Sequence, residues 1–94
     1  VMKTANNSVR TSTASTTAVV AGAWTKLKAV INANGTLVEY YVNGVSIGTV
    51  STNIPTTVAR VSGPTLAVVK SAGLTARTML VDYFYFQQVF TTPR

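Results

Sequence analysis

The sequence predicts an all-β protein, an antiparallel β-sandwich. Three observations carry that reading. Helical periodicity is absent along the 94 residues. Residues 24–50 alternate with period two around two Asn-Gly pairs, the signature of a meander. Residues 77–90 then form one long run of large apolar side chains, RTMLVDYFYFQQVF.

Residues 4–17, TANNSVRTSTASTT, are dominated by Ser and Thr. They read as a solvated loop or an irregular edge strand, because threonine tolerates strands. From Thr17 the pattern changes. Thr25, Leu27, Ala29 and Ile31 fall on one face of a strand, and Trp24, Lys26, Lys28 and Val30 on the other. Asn34-Gly35 predicts a tight turn in which both residues take positive φ. The next strand places Val38, Tyr40 and Val42 on one face and Leu37, Glu39 and Tyr41 on the other. Asn43-Gly44 turns it into a partner strand through Val45, Ile47 and Thr49. Ile54-Pro55 ends this unit, since proline has no place in a central strand. Residues 51–64 then cross over, and TLAVVK opens a new strand at residue 65.

The run at 77–90 is apolar on both faces. Met79, Val81, Tyr83 and Tyr85 lie on one, Leu80, Phe84 and Phe86 on the other. Such a strand is covered on both sides. One cover is the domain's own core. The other is a second sheet, a neighbouring domain or another subunit. Tyr83, Phe84, Tyr85 and Phe86 are therefore the expected oligomer interface. The organisation is a Ser/Thr-rich loop or edge segment over residues 1–16 and a single β-sandwich domain over residues 17–94. The chain opens on Val1, which reads as a fragment, a processed product or a cloned domain.

Composition narrows the function. Charged residues make up only 11% and hydrophobic ones 47%, so the chain can build a core and is not disordered. The net charge of +6 invites a nucleic-acid partner, but the basic residues are scattered singly, whereas groove binders cluster them. No nucleic-acid partner is expected. No apolar run approaches the ~18–20 residues that span a bilayer, and no membrane partner is expected. Cysteine and histidine are absent, which removes thiolate metal sites and the usual general base. Glu39 and Asp82 are the only carboxylates. A glycosidase needs a carboxylate pair flanking the bond, and these two are far apart in sequence. The expectation is no enzyme, no catalytic residue, no metal and no cofactor.

Sugar recognition is the chemistry the residues best supply. Aromatic rings stack on pyranose faces while amides and hydroxyls bond the sugar hydroxyls. Trp24, Tyr40, Tyr41, Asn43 and Tyr85 are the candidates. Each has a plainer role. Trp24 reads as a core plug, one of Tyr40 and Tyr41 as core, and Asn43 as a turn former.

The order AGAWTKLKAVINANGTLVEYYVNG, NIPT, SGPTLAVVKSAG, RTMLVDYFYFQQ resembles the second half of the concanavalin A-like (laminin G-like) jelly roll. More narrowly, it is similar to versions of that fold in bacteriophage tail fibres and tailspikes. Trp24, the Tyr41–Gly44 hairpin, Ile54-Pro55 and the Val81–Tyr83 strand carry the likeness. The resemblance implies a jelly-roll-like sandwich that is incomplete as one chain, because earlier strands of that fold would precede Val1. Laminin G-like domains often hold calcium, but this chain has no Asp-x-Asp cluster to do so. The implied function is a non-enzymatic module of a phage virion appendage that binds host-surface carbohydrate. The alternative is a purely structural trimerisation or assembly domain. The implied partners are a host-surface glycan, a homotrimer or the remainder of a larger virion protein. The implied location is the virion, after synthesis in the bacterial host cytoplasm.

Overall fold

The computed structural model describes residues 1–15, 17–56, 67, 69, 71–76 and 78–89. Two compact units divide the chain, Val1–Arg60 and Val61–Arg94. The fold is all-β, with no helix among the described residues. Five strands lie in the first unit: β1 Met2–Asn6, β2 Val9–Thr13, β3 Leu27–Ile31, β4 Val38–Val42 and β5 Val45–Val50. They form two antiparallel sheets, a β1-β2 hairpin and a β3-β4-β5 meander.

Of the two alternatives for the Ser/Thr-rich segment, a loop or an edge strand, residues 2–13 take the strand and form a hairpin. β1 alternates, with Met2 and Thr4 buried and Lys3 and Ala5 exposed. Asn6 pairs with Val9, so Asn7 and Ser8 form a two-residue turn, with φ values of 49° and 65°. A turn with two positive φ angles normally carries glycine in one of them. Serine in that backbone region costs about 1–2 kcal/mol. Ser8→Gly is therefore expected to stabilise the first unit by about 1 kcal/mol, read as a rise in thermal midpoint.

The hairpin's hydroxyls explain how a Ser/Thr-rich segment can sit against a core. Thr4 Oγ1 donates to the Thr52 carbonyl at 2.6 Å, and the Thr11 and Thr52 hydroxyls share a hydrogen bond at 2.7 Å. Asn53 Nδ2 donates to Thr11 Oγ1 at 2.8 Å. Buried polar groups are tolerated when paired in this way.

The meander forms, and the apolar faces of β3 and β4 lie on the same side of the sheet. Ile31 opposes Val38 and Leu27 opposes Val42, while Val38 also opposes Val50. Asn43 and Gly44 both take positive φ, 50° and 83°, as a two-residue turn requires. The first turn differs from expectation. Only Gly35 has positive φ there. Asn32 organises the loop instead, its Oδ1 accepting from the Thr36 and Leu37 amides at 2.8 and 3.0 Å. The Asn32 side chain thus does what a second positive-φ residue would do in a tighter turn. A bulge leaves Ile47 unpaired, since Tyr40 opposes Gly48 but Tyr41 opposes Ser46.

Among the described residues of the first unit, the core comprises Met2, Val38, Val50 and Ile54, with Thr4 the buried polar residue. Met2 reaches the meander at Gly48, where an added Cβ would lie 3.0 Å from Met2 Cε. Tyr40 donates its hydroxyl to the Lys3 carbonyl at 2.7 Å on the same face. The hairpin therefore covers the β4-β5 part of that face, and β3 stays exposed along its length.

In the second unit, described residues 78–89 form no strand. This corrects the expected strand at 77–90. Alternation of apolar side chains gives a segment two faces but no hydrogen-bonding neighbour, and a strand needs that neighbour. The expected strand TLAVVK lies outside the described residues except for Ala67 and Val69.

Candidate functional site

The sequence candidates separate into different settings. Tyr40 and Tyr41 occupy opposite faces of β4, as alternation requires. Tyr40 is on the inner face with its hydroxyl bound to Lys3, and burial raises its phenol above the ordinary range. It joins hairpin to meander. Asn43 is also committed to the fold. Its Oδ1 accepts from the Lys26 amide at 2.8 Å, and its own amide donates to the Lys26 carbonyl at 2.8 Å. Those two bonds extend the β3-β4 ladder by one residue pair.

Trp24 is 70% exposed and lies before β3. The core-plug role does not apply to it. An exposed indole offers an apolar plane with one donor, which suits stacking on a sugar.

Tyr41 is the centre of a polar cluster on the outer face. Lys28 lies opposite it on β3 and Ser46 opposite it on β5. Lys28 Nζ lies 4.5 Å from the Tyr41 ring centroid, a cation–π contact. Ser46 Oγ donates to Glu39 Oε1 at 2.7 Å. Hydrogen bonds from Ser46 and then Tyr41 hold the Glu39 carboxyl below its ordinary value, and the Lys28 charge acts the same way. The Tyr41 phenol is raised, chiefly by its hydrogen bond to Glu39. Glu39 therefore stays ionised and acts as an acceptor, not as a proton donor. The sequence offers Glu39 only as a carboxylate, and does not single out Lys28 or Ser46 as site residues. Counting back from the Asn43-Gly44 turn would have placed Ser46 beside Tyr41. Placing Lys28 required the loop length at 32–37.

A shallow open groove of about 380 Å³ lies on the first unit, lined mainly by apolar atoms from Met2, Val19, Leu27, Ala29 and Val42 with Tyr40. Ser15, Thr17, Lys28 and Tyr41 also line it, but apolar atoms dominate the lining, so it suits an apolar side chain better than a sugar.

In the second unit, Tyr85 donates its hydroxyl to Gln87 Oε1 at 2.9 Å. Tyr83, Phe84, Tyr85 and Phe86 are all exposed. The two carboxylates, Glu39 and Asp82, belong to different units. Among the described residues no group of His, Cys, Asp and Glu could hold a metal ion, and no helix is long and apolar enough to cross a membrane.

These features define a small all-β module with exposed aromatic surfaces. The chain belongs to the SO2946-like, C-terminal domain family, whose model matches residues 1–82. No curated protein matched the chain. No solved structure matched it either.

Proposed function

We propose that the chain is a non-enzymatic assembly module of a phage virion appendage, of the tail-fibre or tailspike kind. Its task is to seat an apolar segment on another subunit or on the remainder of a larger virion protein. The virion setting rests on the resemblance of residues 17–90 to jelly-roll domains of such appendages. One observation carries the assembly role. Met79, Leu80, Val81, Tyr83, Phe84, Tyr85 and Phe86 are between 44% and 75% exposed. Contiguous exposed apolar surface of this kind marks a contact with another molecule.

Light scattering on a size-exclusion column tests this reading. The chain should run as an oligomer, with a trimer the state the resemblance implies. The double variant Phe84→Ser/Phe86→Ser should weaken association at least about tenfold, since a buried aromatic anchor carries ~2 kcal/mol or more. The first unit's thermal unfolding should be unchanged. A wild-type chain that stays monomeric would overturn the assembly role.

Carbohydrate binding is the second reading, favoured by the exposure of Trp24. It has less support because Tyr40 and Asn43 use their polar atoms within the fold. Glycan-array binding that Trp24→Ala abolishes, in a monomeric chain, would place sugar recognition first.

A further inference from the structure

β3 ends the meander on one side, and no further strand pairs with it among the described residues. Its hydrogen-bonding parity can be read from the bonds at both ends of the β3-β4 pair. The Lys26 carbonyl accepts from the Asn43 amide, and the Asn32 amide donates to the Leu37 carbonyl. Bonded residues recur every second position in an antiparallel pair. Lys26, Lys28, Val30 and Asn32 therefore direct their backbone groups toward β4. Leu27, Ala29 and Ile31 direct theirs to the open edge.

We infer that this edge pairs with the same edge of a second copy, antiparallel and centred on Ala29. The register follows from the parity. Centring on Ala29 matches Leu27 with Ile31 of the second copy and Ala29 with its own counterpart. Each of these pairs joins two outward-directed residues, so each can exchange both backbone bonds. The side chains agree with the register. Leu27 meets Ile31 on the face left exposed by the hairpin. On the other face Lys28 meets Val30, and beyond the strand Lys26 meets Asn32. No like charges stand directly opposite, the arrangement that destabilises paired strands.

The edge also lacks its usual guard. Lysines on an edge strand ordinarily deter pairing. Lys28 is the lysine within β3, and its ammonium is drawn over the Tyr41 ring on β4, away from the open edge. A pairing about a two-fold axis is isologous and closes at two chains. Five residues of edge bury less than the ~1,200 Å² of a standard interface, so the dimer is expected to be weak, on the order of micromolar to tens of micromolar. This inference concerns the first unit and does not depend on the apolar segment at 79–86.

The absence of native cysteine allows a direct test. Directly opposed bonded residues have Cα atoms about 5.5 Å apart, within disulfide range. Ala29→Cys at tens of micromolar should give a disulfide-linked dimer on mild oxidation, several-fold faster than the exposed β2 control Ser12→Cys. On the Phe84→Ser/Phe86→Ser background, Ala29→Pro removes an outward amide and no β3-β4 bond, so it should abolish the remaining dimer in sedimentation velocity while strand content persists. Cross-linking at residue 29 no faster than at residue 12 would overturn the inference. So would a dimer of the Phe84→Ser/Phe86→Ser chain that survives Ala29→Pro. A chain that Phe84→Ser/Phe86→Ser alone makes fully monomeric at tens of micromolar would overturn the edge pairing while supporting assembly through the second unit.

Discussion

Ile54→Ala is expected to destabilise the first unit by about 2–4 kcal/mol, the usual cost of truncating a buried isoleucine. The figure is large relative to the whole. Among the described residues the core holds Met2, Val38, Val50 and Ile54. A core in a unit the size of Val1–Arg60 rarely supplies more than about 3–5 kcal/mol of net stability. One truncation would thus remove most of it. The position of Ile54 makes relaxation difficult. It follows Thr52 and Asn53, whose hydrogen bonds to Thr4 and Thr11 fix the segment to the hairpin. The backbone cannot collapse into the cavity without breaking those bonds. Circular dichroism should show the thermal midpoint falling by about 8 °C or more, at roughly 4–8 °C per kcal/mol for a domain this small. Val45→Ala, at an exposed position of β5, should stay within about 0.5 kcal/mol of the parent. A fall of under about 3 °C for Ile54→Ala would mean that Ile54 is not part of the cooperative core.

The meander was legible because its signals are local. Period-two alternation and the Asn43-Gly44 pair fix strand, face and turn without reference to any other part of the chain. The hairpin at 2–13 was harder to see because its turn is Asn7-Ser8, which lacks the glycine that marks such turns. Its strands are threonine-rich and show a buried face only at Met2 and Thr4. Threonine hydroxyls that bind Thr52 and Asn53 in the structure look, in sequence, like a solvated loop. Asn34-Gly35 misleads in detail for the opposite reason. The motif is local, but the Asn32 side chain set the loop. Side-chain alternation alone makes 77–90 look like a strand, and pairing is a property of two segments.

The same distinction governs the candidate site. Alternation required Tyr40 and Tyr41 to face opposite ways. It did not say which would be inside, since that depends on where Met2 and Lys3 dock. Trp24 shows the limit most clearly. A tryptophan near a strand start is core or surface according to what lies across from it. Here the hairpin covers Gly48 and Tyr40 on β5 and β4 and leaves β3 exposed. The surface available for partners is set by how far the hairpin reaches.

Gly48 is where that reach can be tested. Its φ of 139° lies in a region that side chains rarely adopt, and a Cβ there would meet Met2 Cε at 3.0 Å and Met2 Sδ at 3.4 Å. Two penalties are therefore superimposed. The backbone penalty is about 1–3 kcal/mol for any side chain. The packing penalty depends on whether Met2 can move, and methionine is the most adaptable of the core residues. Gly48→Ala should cost mainly the first, because the end of Met2 can give by a few tenths of an ångström. Gly48→Val should cost about 3 kcal/mol or more, since branched methyls would push Met2 off the sheet. Displacing Met2 would also pull Lys3 from the Tyr40 hydroxyl. The raised Tyr40 phenol, whose shift comes from burial, should then return toward the ordinary tyrosine value. A double-mutant cycle separates the penalties. If packing contributes, the cost of Gly48→Val shrinks on a Met2→Ala background. If the cost is the same on both backgrounds, Met2 does not hold the hairpin against Gly48. The hydroxyl contacts at Thr4, Thr11 and Tyr40 would then be what joins hairpin to meander.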